Sequence, residues 1–185
     1  MKILMTADTV GGVWTYCMDL CRTLQRYGAQ VYLVTMGERV KDWQWKEALE
    51  LENVVIYETC FQLEWMQDPW DDIDECGDWL LQLEEDLQPD IVHLNCFAYG
   101  ALPFKAPVLT VAHSDVWSWF LSVKEEEPSA EWKPYFHCVQ NGLLGAGKVV
   151  APSFTMLRFL EEIYGIKGEA IYNGRGTSLF YVGEK

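Results

Sequence analysis

Two adjacent glycines, Gly11 and Gly12, follow an apolar segment at the start of the chain. Because glycine has no Cβ, a ligand can approach the backbone N–H groups there closely. A helical pattern follows, so these groups lie at a predicted helix N-terminus, where the helix dipole favours phosphate. The G-x-G-x-x-G spacing of dinucleotide-binding proteins and the G-K-[ST] of a P-loop are both missing. The pair is a candidate anion site or a structural turn.

Three histidines could take part in chemistry. His113 ends an apolar segment, and the Ser114-Asp115 pair after it could orient an imidazole or start a turn. His93 lies between Val92 and Leu94, which favours a structural histidine with a hydrogen bond. His137 lies in an amphipathic pattern and is given no role. The sequence has no G-x-S-x-G elbow that would expose a serine nucleophile, so hydrolase chemistry is not favoured.

Cysteines and tryptophans give weaker signals. The six cysteines include no C-x-x-C pair, and no histidine or cysteine cluster completes a metal site with Cys17 and Cys21. We therefore predict small apolar side chains in a reducing compartment and no metal. The nine tryptophans could stack on sugar rings or pack in the core.

Apolar segments with little alternation recur between helical patterns. The predicted strands are 2–7, 30–36, 54–57, 91–96, 108–113, 148–151 and 170–172, and the predicted helices are 14–27, 41–51, 64–86, 129–142 and 154–164. Such strands are typical of a parallel sheet that is covered on both faces. We predict a Rossmann-like, doubly wound α/β domain with a mainly parallel sheet. Its chemistry should lie at the carboxyl ends of the strands.

The length, charge and hydropathy of the chain exclude several classes of protein. A chain of 185 residues is expected to form one domain. A net charge of −14 repels nucleic acid and gains nothing at an anionic membrane surface. No apolar stretch approaches the ~20 residues that span a bilayer, and the N-terminus lacks the pattern of a signal peptide. We therefore expect a cytoplasmic protein.

Five segments together resemble one known family. They are Lys2-Ile3-Leu4-Met5, Gly11-Gly12-Val13-Trp14-Thr15-Tyr16, Pro89-Asp90-Ile91-Val92-His93-Leu94, Val149-Val150-Ala151-Pro152-Ser153 and Ile171-Tyr172-Asn173-Gly174. In this order they resemble the N-terminal half of the glycogen-synthase-like glycosyltransferases, family 4 of the retaining GT-B enzymes. The resemblance covers nearly the whole chain.

The resemblance implies an architecture and an activity. GT-B enzymes place an acceptor-side domain and a donor-binding domain across a cleft. Residues 1–174 would be the acceptor-side domain, residues 175–185 would begin the connection, and the C-terminal donor domain is absent from the sequence. The family transfers a sugar from a nucleotide-sugar donor to an acceptor with retention, without a cofactor or an obligatory metal.

The resemblance also implies roles for individual residues. Gly11 and Gly12 match the loop that approaches the donor diphosphate, and His113 matches the catalytic-site histidine that contacts the donor sugar. Acceptor contacts are expected from the loops after the strands, with Asn95, Tyr99 and Trp117 as candidates. The donor and the acceptor are not identified by the sequence.

Two alternatives remain open. The isolated chain is expected to lack turnover, because residues of both domains form the active site of a GT-B enzyme. It could instead be a subunit of a split glycosyltransferase that recruits a separate donor-binding chain. A fragment of a GT-B type sugar-nucleotide epimerase is the other possibility. Arg175-Gly176 departs from the aliphatic and acidic residues more common after the Asn173-Gly174 turn.

Overall fold

The structure is a computed structural model that describes residues 1–174. Its strands are β1 (Lys2–Asp8), β2 (Gln30–Met36), β3 (Val54–Glu58), β4 (Ile91–Leu94), β5 (Val108–Val111), β6 (Lys148–Ala151) and β7 (Glu169–Ala170). Its α-helices are α1 (Val13–Gln25), α2 (Asp42–Leu49), α3 (Trp70–Leu87), α4 (Val116–Trp119), α5 (Lys133–Gly145) and α6 (Phe154–Tyr164). A π-helical segment, Phe120–Lys124, continues α4, and a 3₁₀ turn, Ala130–Trp132, precedes α5.

The strands form one parallel sheet in the order β3-β2-β1-β4-β5-β6-β7. From β1 the chain first winds outward to β3, and then returns to place β4 on the other side of β1. The winding direction therefore reverses between β1 and β4, where Ile3 pairs with Ile91 and Met5 with His93. Ligands of open α/β sheets bind at such a switch point. The predicted doubly wound parallel fold is confirmed.

Both faces of the sheet carry apolar side chains, as the near-continuous apolar strands predict. On one face Ile3 and Met5 of β1 pack against α1 and α2. On the other face Leu4 packs in the cluster that includes α3, while Ala112 and Val149 pack with α5 and α6. Nearly the whole length of β1 is buried. The central strands therefore hold the ends of β1, β4 and β5 in fixed positions.

Helix α5 packs closely on the loop after β4. A Cβ on Gly142 would lie 1.8 Å from the carbonyl oxygen of Phe97, and one on Gly100 would lie 2.1 Å from the carbonyl oxygen of Gly142. One turn later, a Cβ on Gly145 would lie 2.4 Å from the Cα of Ala101. Backbone meets backbone along this contact, so only glycine fits at these positions.

The predicted element bounds differ most at two helices. Helix α3 begins at Trp70 and not at residue 64, since Pro69 stands at its N-cap and Asp68 has a φ of 55°. Helix α5 begins at Lys133 and not at residue 129, with Pro134 in its first turn, where proline is favoured. Helix α4 and the π-helical segment were not predicted.

Other bounds agree with the predictions or shift by a few residues. Strands β2 and β6 and helix α6 have the predicted limits, with Ser153 capping α6 through Met156 N. Strands β4 and β5 end two residues earlier than predicted, so Asn95 and His113 lie just beyond the sheet. Strand β7 is shifted to Glu169–Ala170. The predicted start of the interdomain connection, 175–185, lies outside the described residues.

Candidate active site at the switch point

The glycine loop lies at the carboxyl end of β1 and begins α1. Gly12 is the N-cap of α1, with φ −70° and ψ −12°, and no side chain caps the helix. The first turn also contains no acidic residue. The N–H groups of this turn have no partner within the helix, so an anion can bind them.

Packing does not explain why these two positions are glycine. A Cβ on Gly12 would meet nothing within 4 Å, and one on Gly11 would lie 3.7 Å from a carboxylate oxygen of Asp8, an ordinary contact. Neither glycine has a positive φ. Open space above an uncapped helix N-terminus is what a ligand approaching the backbone needs.

Asp8 adds an acidic group to this loop that the sequence analysis did not single out. Its Oδ1 accepts a hydrogen bond from Val10 N at 2.6 Å. Burial raises the pKa of this carboxyl, and the charge of Glu38 adds to the increase, while the N–H groups of Val10 and Gly11 oppose it.

His113 follows β5 by two residues and reaches the same edge of the sheet. Its Nε2 lies 2.8 Å from Oδ1 of Asn95, and its ring meets the ring of Tyr16 at 4.6 Å and 69°. Burial lowers the pKa of His113 to about 4, so the imidazole is neutral at pH 7. Burial also raises the pKa of Tyr16 to about 12, which keeps the phenol neutral. Tyr16 lies one turn into α1 and links His113 to the helix that begins at the glycine loop.

Asp115 starts a helix and does not orient the imidazole. Its Oδ1 accepts hydrogen bonds from Trp117 N at 2.9 Å and Ser118 N at 3.1 Å, which caps α4. The same oxygen accepts the hydroxyl of Tyr164 at 2.8 Å. Of the two roles left open for the pair after His113, the structure shows the turn.

The predicted acceptor residues lie in different environments. Asn95 is 8% exposed and contacts His113. Tyr99 is 2% exposed and packs in the core beside α3, so it offers no open surface in this structure. Trp117 is partly buried, with its ring 4.8 Å from that of Phe136. Only Asn95 of the three is brought together with His113.

Of the other two histidines, His93 adjoins this site and His137 does not. His93 is 6% exposed on the central strand β4, and its Nε2 has no hydrogen bond among the described residues. Burial lowers its pKa to about 4, the nearby His113 lowers it further, and Asn95 opposes the shift. His137 is exposed on α5, away from β4 and β5.

Glu64 is a buried acidic residue that no sequence pattern singled out. It is 4% exposed, and its Oε1 accepts a hydrogen bond from Phe97 N at 2.8 Å. Burial raises the pKa of this carboxyl, although the N–H of Phe97 opposes the change. The acid-rich segment around it predicts an exposed helix, whereas Glu64 lies in a turn and anchors the loop after β4.

A groove of about 810 Å³ runs along the sheet beside α1. Tyr16, His93, Leu109 and Val111 are among its lining residues, and Ile171 to Gly174 line it as well. Tyr16 contacts both the groove and His113, so the groove adjoins the site. Within residues 1–174, no group of three or more His, Cys, Asp and Glu side chains could hold a metal ion. No described helix is long and apolar enough to cross a membrane.

The parallel sheet with its reversal, and the glycine loop and strand-end histidine near that reversal, define a Rossmann-like domain with a candidate binding site at the switch point. The model of Glycosyltransferase Family 4 matches residues 10–178, and the chain belongs to this family. No curated protein gives a significant sequence match.

Solved structures show the same fold at low identity. A glycosyltransferase from Rickettsia africae is 22% identical with a TM-score of 0.62, and the alignment covers 95% of this chain and 43% of the Rickettsia chain. Sucrose-phosphate synthase from Thermosynechococcus elongatus is 14% identical with a TM-score of 0.68, and the alignment covers 98% of this chain and 50% of the synthase. MurG from Acinetobacter baumannii is 13% identical with a TM-score of 0.57, and the alignment covers 95% of this chain and 46% of MurG. The chain has the fold of one half of a GT-B glycosyltransferase and spans about half the length of these proteins.

Proposed function

We propose that this chain forms the acceptor-side wall of a retaining glycosyltransferase that acts in the cytoplasm on a nucleotide-sugar donor and a hydroxyl acceptor. Family membership supports sugar transfer. One structural neighbour, UGT89C1 from Arabidopsis thaliana, is described in complex with UDP, which favours a nucleotide-sugar donor. The donor-binding wall comes from a second domain or a second chain, so residues 1–185 alone do not turn over.

One observation carries the proposal, namely that the uncapped N-terminus of α1 and the neutral His113 meet at the switch point through Tyr16. The first-turn N–H groups bind the donor diphosphate. His113 offers the sugar a hydrogen bond and no positive charge, because burial keeps its imidazole neutral. The departing diphosphate and fixed dipoles then stabilise the oxocarbenium-like transition state.

A glycine substitution tests the anion site without disturbing the fold. Gly12→Ala places a Cβ in open space at a backbone conformation that alanine adopts, so the melting temperature should change by only a few degrees. If the diphosphate approaches the backbone here, the added methyl should weaken UDP binding at least tenfold in a calorimetric titration of the chain assembled with its donor-binding domain or partner chain. Gly77→Ala in α3, remote from the loop, is the matched control and should leave UDP binding unchanged. Equal UDP affinity in Gly12→Ala and the wild type contradicts the site.

The gene downstream of Lys185 tests the architecture. A continuing reading frame with a second α/β domain supports one two-domain enzyme, and a neighbouring gene for such a domain supports a two-chain enzyme. The assembled protein should transfer sugar from a nucleotide-sugar with retention at the anomeric carbon, observed by proton NMR of the product. Robust transfer by the purified 185-residue chain refutes the proposed incomplete site, and inversion refutes the retaining mechanism.

A further inference from the structure

We propose that Asn95 is the positioning residue for His113, and that it holds the imidazole in the Nε2–H tautomer so that Nδ1 accepts a hydrogen bond from a hydroxyl of the bound sugar. The identity of the ligand rests on the proposed function. The tautomer rests only on the contacts of Asn95.

The orientation of the Asn95 amide is fixed by β1. Its Nδ2 donates a hydrogen bond to the carbonyl oxygen of Thr6 at 2.7 Å. A carbonyl oxygen can only accept, so the atom facing it must be the NH₂ group. The same Nδ2 lies 3.4 Å from Sγ of Cys17. The backbone N of Asn95 donates to Oγ1 of Thr6 at 2.9 Å, so both its main chain and its side chain are tied to β1.

The oxygen of this amide must then face His113. Oδ1 of Asn95 lies 2.8 Å from Nε2 of His113, and an amide oxygen can only accept, so Nε2 carries the hydrogen. The buried ring is neutral at pH 7 and has one N–H, which leaves Nδ1 bare. Within residues 1–174, Nδ1 has no hydrogen bond.

Among residues 1–174, no other side chain forms a hydrogen bond with the imidazole of His113. The Tyr16 ring lies at 4.6 Å in a T-shaped contact, and the buried His93 is the other titratable neighbour. A bare Nδ1 in this setting recognises a donor group, and a sugar hydroxyl is such a group. If Asn95 served only to join β1 and β4, its removal would lower stability and leave the tautomer of His113 unchanged.

The test is a two-bond ¹H–¹⁵N histidine spectrum of the ¹⁵N-labelled 185-residue chain, with His113 assigned through His113→Gln. We expect the Nε2–H tautomer in the wild type at pH 7. Asn95→Ala should give a mixture of tautomers. Asn95→Asp should keep Nε2–H and move the midpoint of His113 titration from about 4 towards its ordinary value, because a carboxylate stabilises the imidazolium.

Asn53→Ala is the matched control. Asn53 is also a buried asparagine, whose Nδ2 donates to the carbonyl oxygens of Cys21 and Ala29, so its loss should lower stability without changing the His113 spectrum. An Nδ1–H tautomer in the wild type overturns the proposal, as does a folded Asn95→Ala with an unchanged tautomer. If Asn95→Ala does not fold, the wild-type tautomer and the shift in Asn95→Asp decide.

Titration of the chain, assembled with its donor-binding domain or partner chain, with UDP, UDP-glucose and GDP-mannose tests the hydroxyl contact. A sugar-bearing probe that binds should shift the Nδ1 resonance, whereas UDP alone should shift only the amides of Gly11 and Gly12. Binding of a sugar-bearing probe without a change at Nδ1 overturns the hydroxyl assignment. Failure of all three probes to bind the assembled protein counts against the proposed function, and the tautomer result, obtained on the 185-residue chain, stands apart from it.

Discussion

Helix α5 and the loop after β4 touch through their backbones, and Gly142→Ala should break this contact. Normal contacts of a Cβ are not shorter than 3.0 Å, so a methyl placed 1.8 Å from the carbonyl oxygen of Phe97 forces a movement of at least about 1.2 Å. The loop cannot move freely, because Glu64 holds Phe97 N and the tied Asn95 precedes it. The helix must therefore lift its own Leu143 from the core that this side chain shares with Ala112 and Leu160.

The magnitude follows from two opposing effects. Overpacking costs about 1–3 kcal/mol, and a clash with backbone falls at or beyond the upper end, while alanine in a helix interior gains up to about 1 kcal/mol over glycine. We expect a net loss of about 2–3 kcal/mol in the free energy of unfolding, measured in urea. For a chain of this size, the melting temperature should fall by roughly 5–10 °C.

Gly77→Ala is the same substitution with the opposite expected sign. Gly77 is buried within α3, and its Cβ would lie 3.5 Å from Cδ1 of Leu102, an ordinary contact. We expect it to leave stability unchanged or to raise it by up to about 1 kcal/mol. If Gly142→Ala is as stable as Gly77→Ala, the close packing of α5 on the loop is wrong.

Three further predictions concern buried polar groups. Burial lowers the pKa of His93 to about 4, so below pH 6.5 the unfolded state binds more protons than the folded state. The free energy of unfolding should therefore fall between pH 6.5 and 4, by on the order of 3 kcal/mol from this residue. His93→Gln should remove the part of the loss that comes from His93, while a comparable part from His113 remains, in urea titrations across that range with His137→Gln as the exposed control. Asp115→Ala should lower the free energy of unfolding by about 2–3 kcal/mol. In a Tyr164→Phe background the same substitution should lower it by about 1 kcal/mol less, because the hydrogen bond between the two side chains is already lost. A double-mutant cycle without coupling contradicts that bond. Glu64→Gln keeps the acceptor for the N–H of Phe97 and should stay within about 1 kcal/mol of the wild type, whereas Glu64→Leu should lose about 1–3 kcal/mol, by chemical denaturation at pH 7.

Local chemistry made much of the fold predictable. Apolar strands such as β2 and β6 have no alternation that would suggest a solvated face, and Ser153 and Gly165 mark the ends of α6. These signals lie within a few residues of the element that they define. The predicted start of α3 was wrong because the acidic helical pattern continues without a break through Pro69. The helix begins after this proline, which stands at its N-cap.

The candidate site was predictable only in part. Gly12 and His113 stand beside predicted strand ends, so the sheet topology brings them to one edge. The contacts of Asn95 with Thr6 and His113 depend on β1, β4 and β5 being neighbours, which no local pattern specifies. Glu64 was missed for a related reason, since its burial depends on the distant loop at Phe97.

The tie between Thr6 and Asn95 also bears on the order of folding. It joins residues 89 positions apart, whereas β1 and β2 are linked by a single helix. Closing the longer loop costs more chain entropy, so β1, α1 and β2 can associate before β4 arrives. The imidazole after β5 gains its partner later still. During synthesis, the glycine loop can therefore form long before Asn95 and His113 come to lie near it.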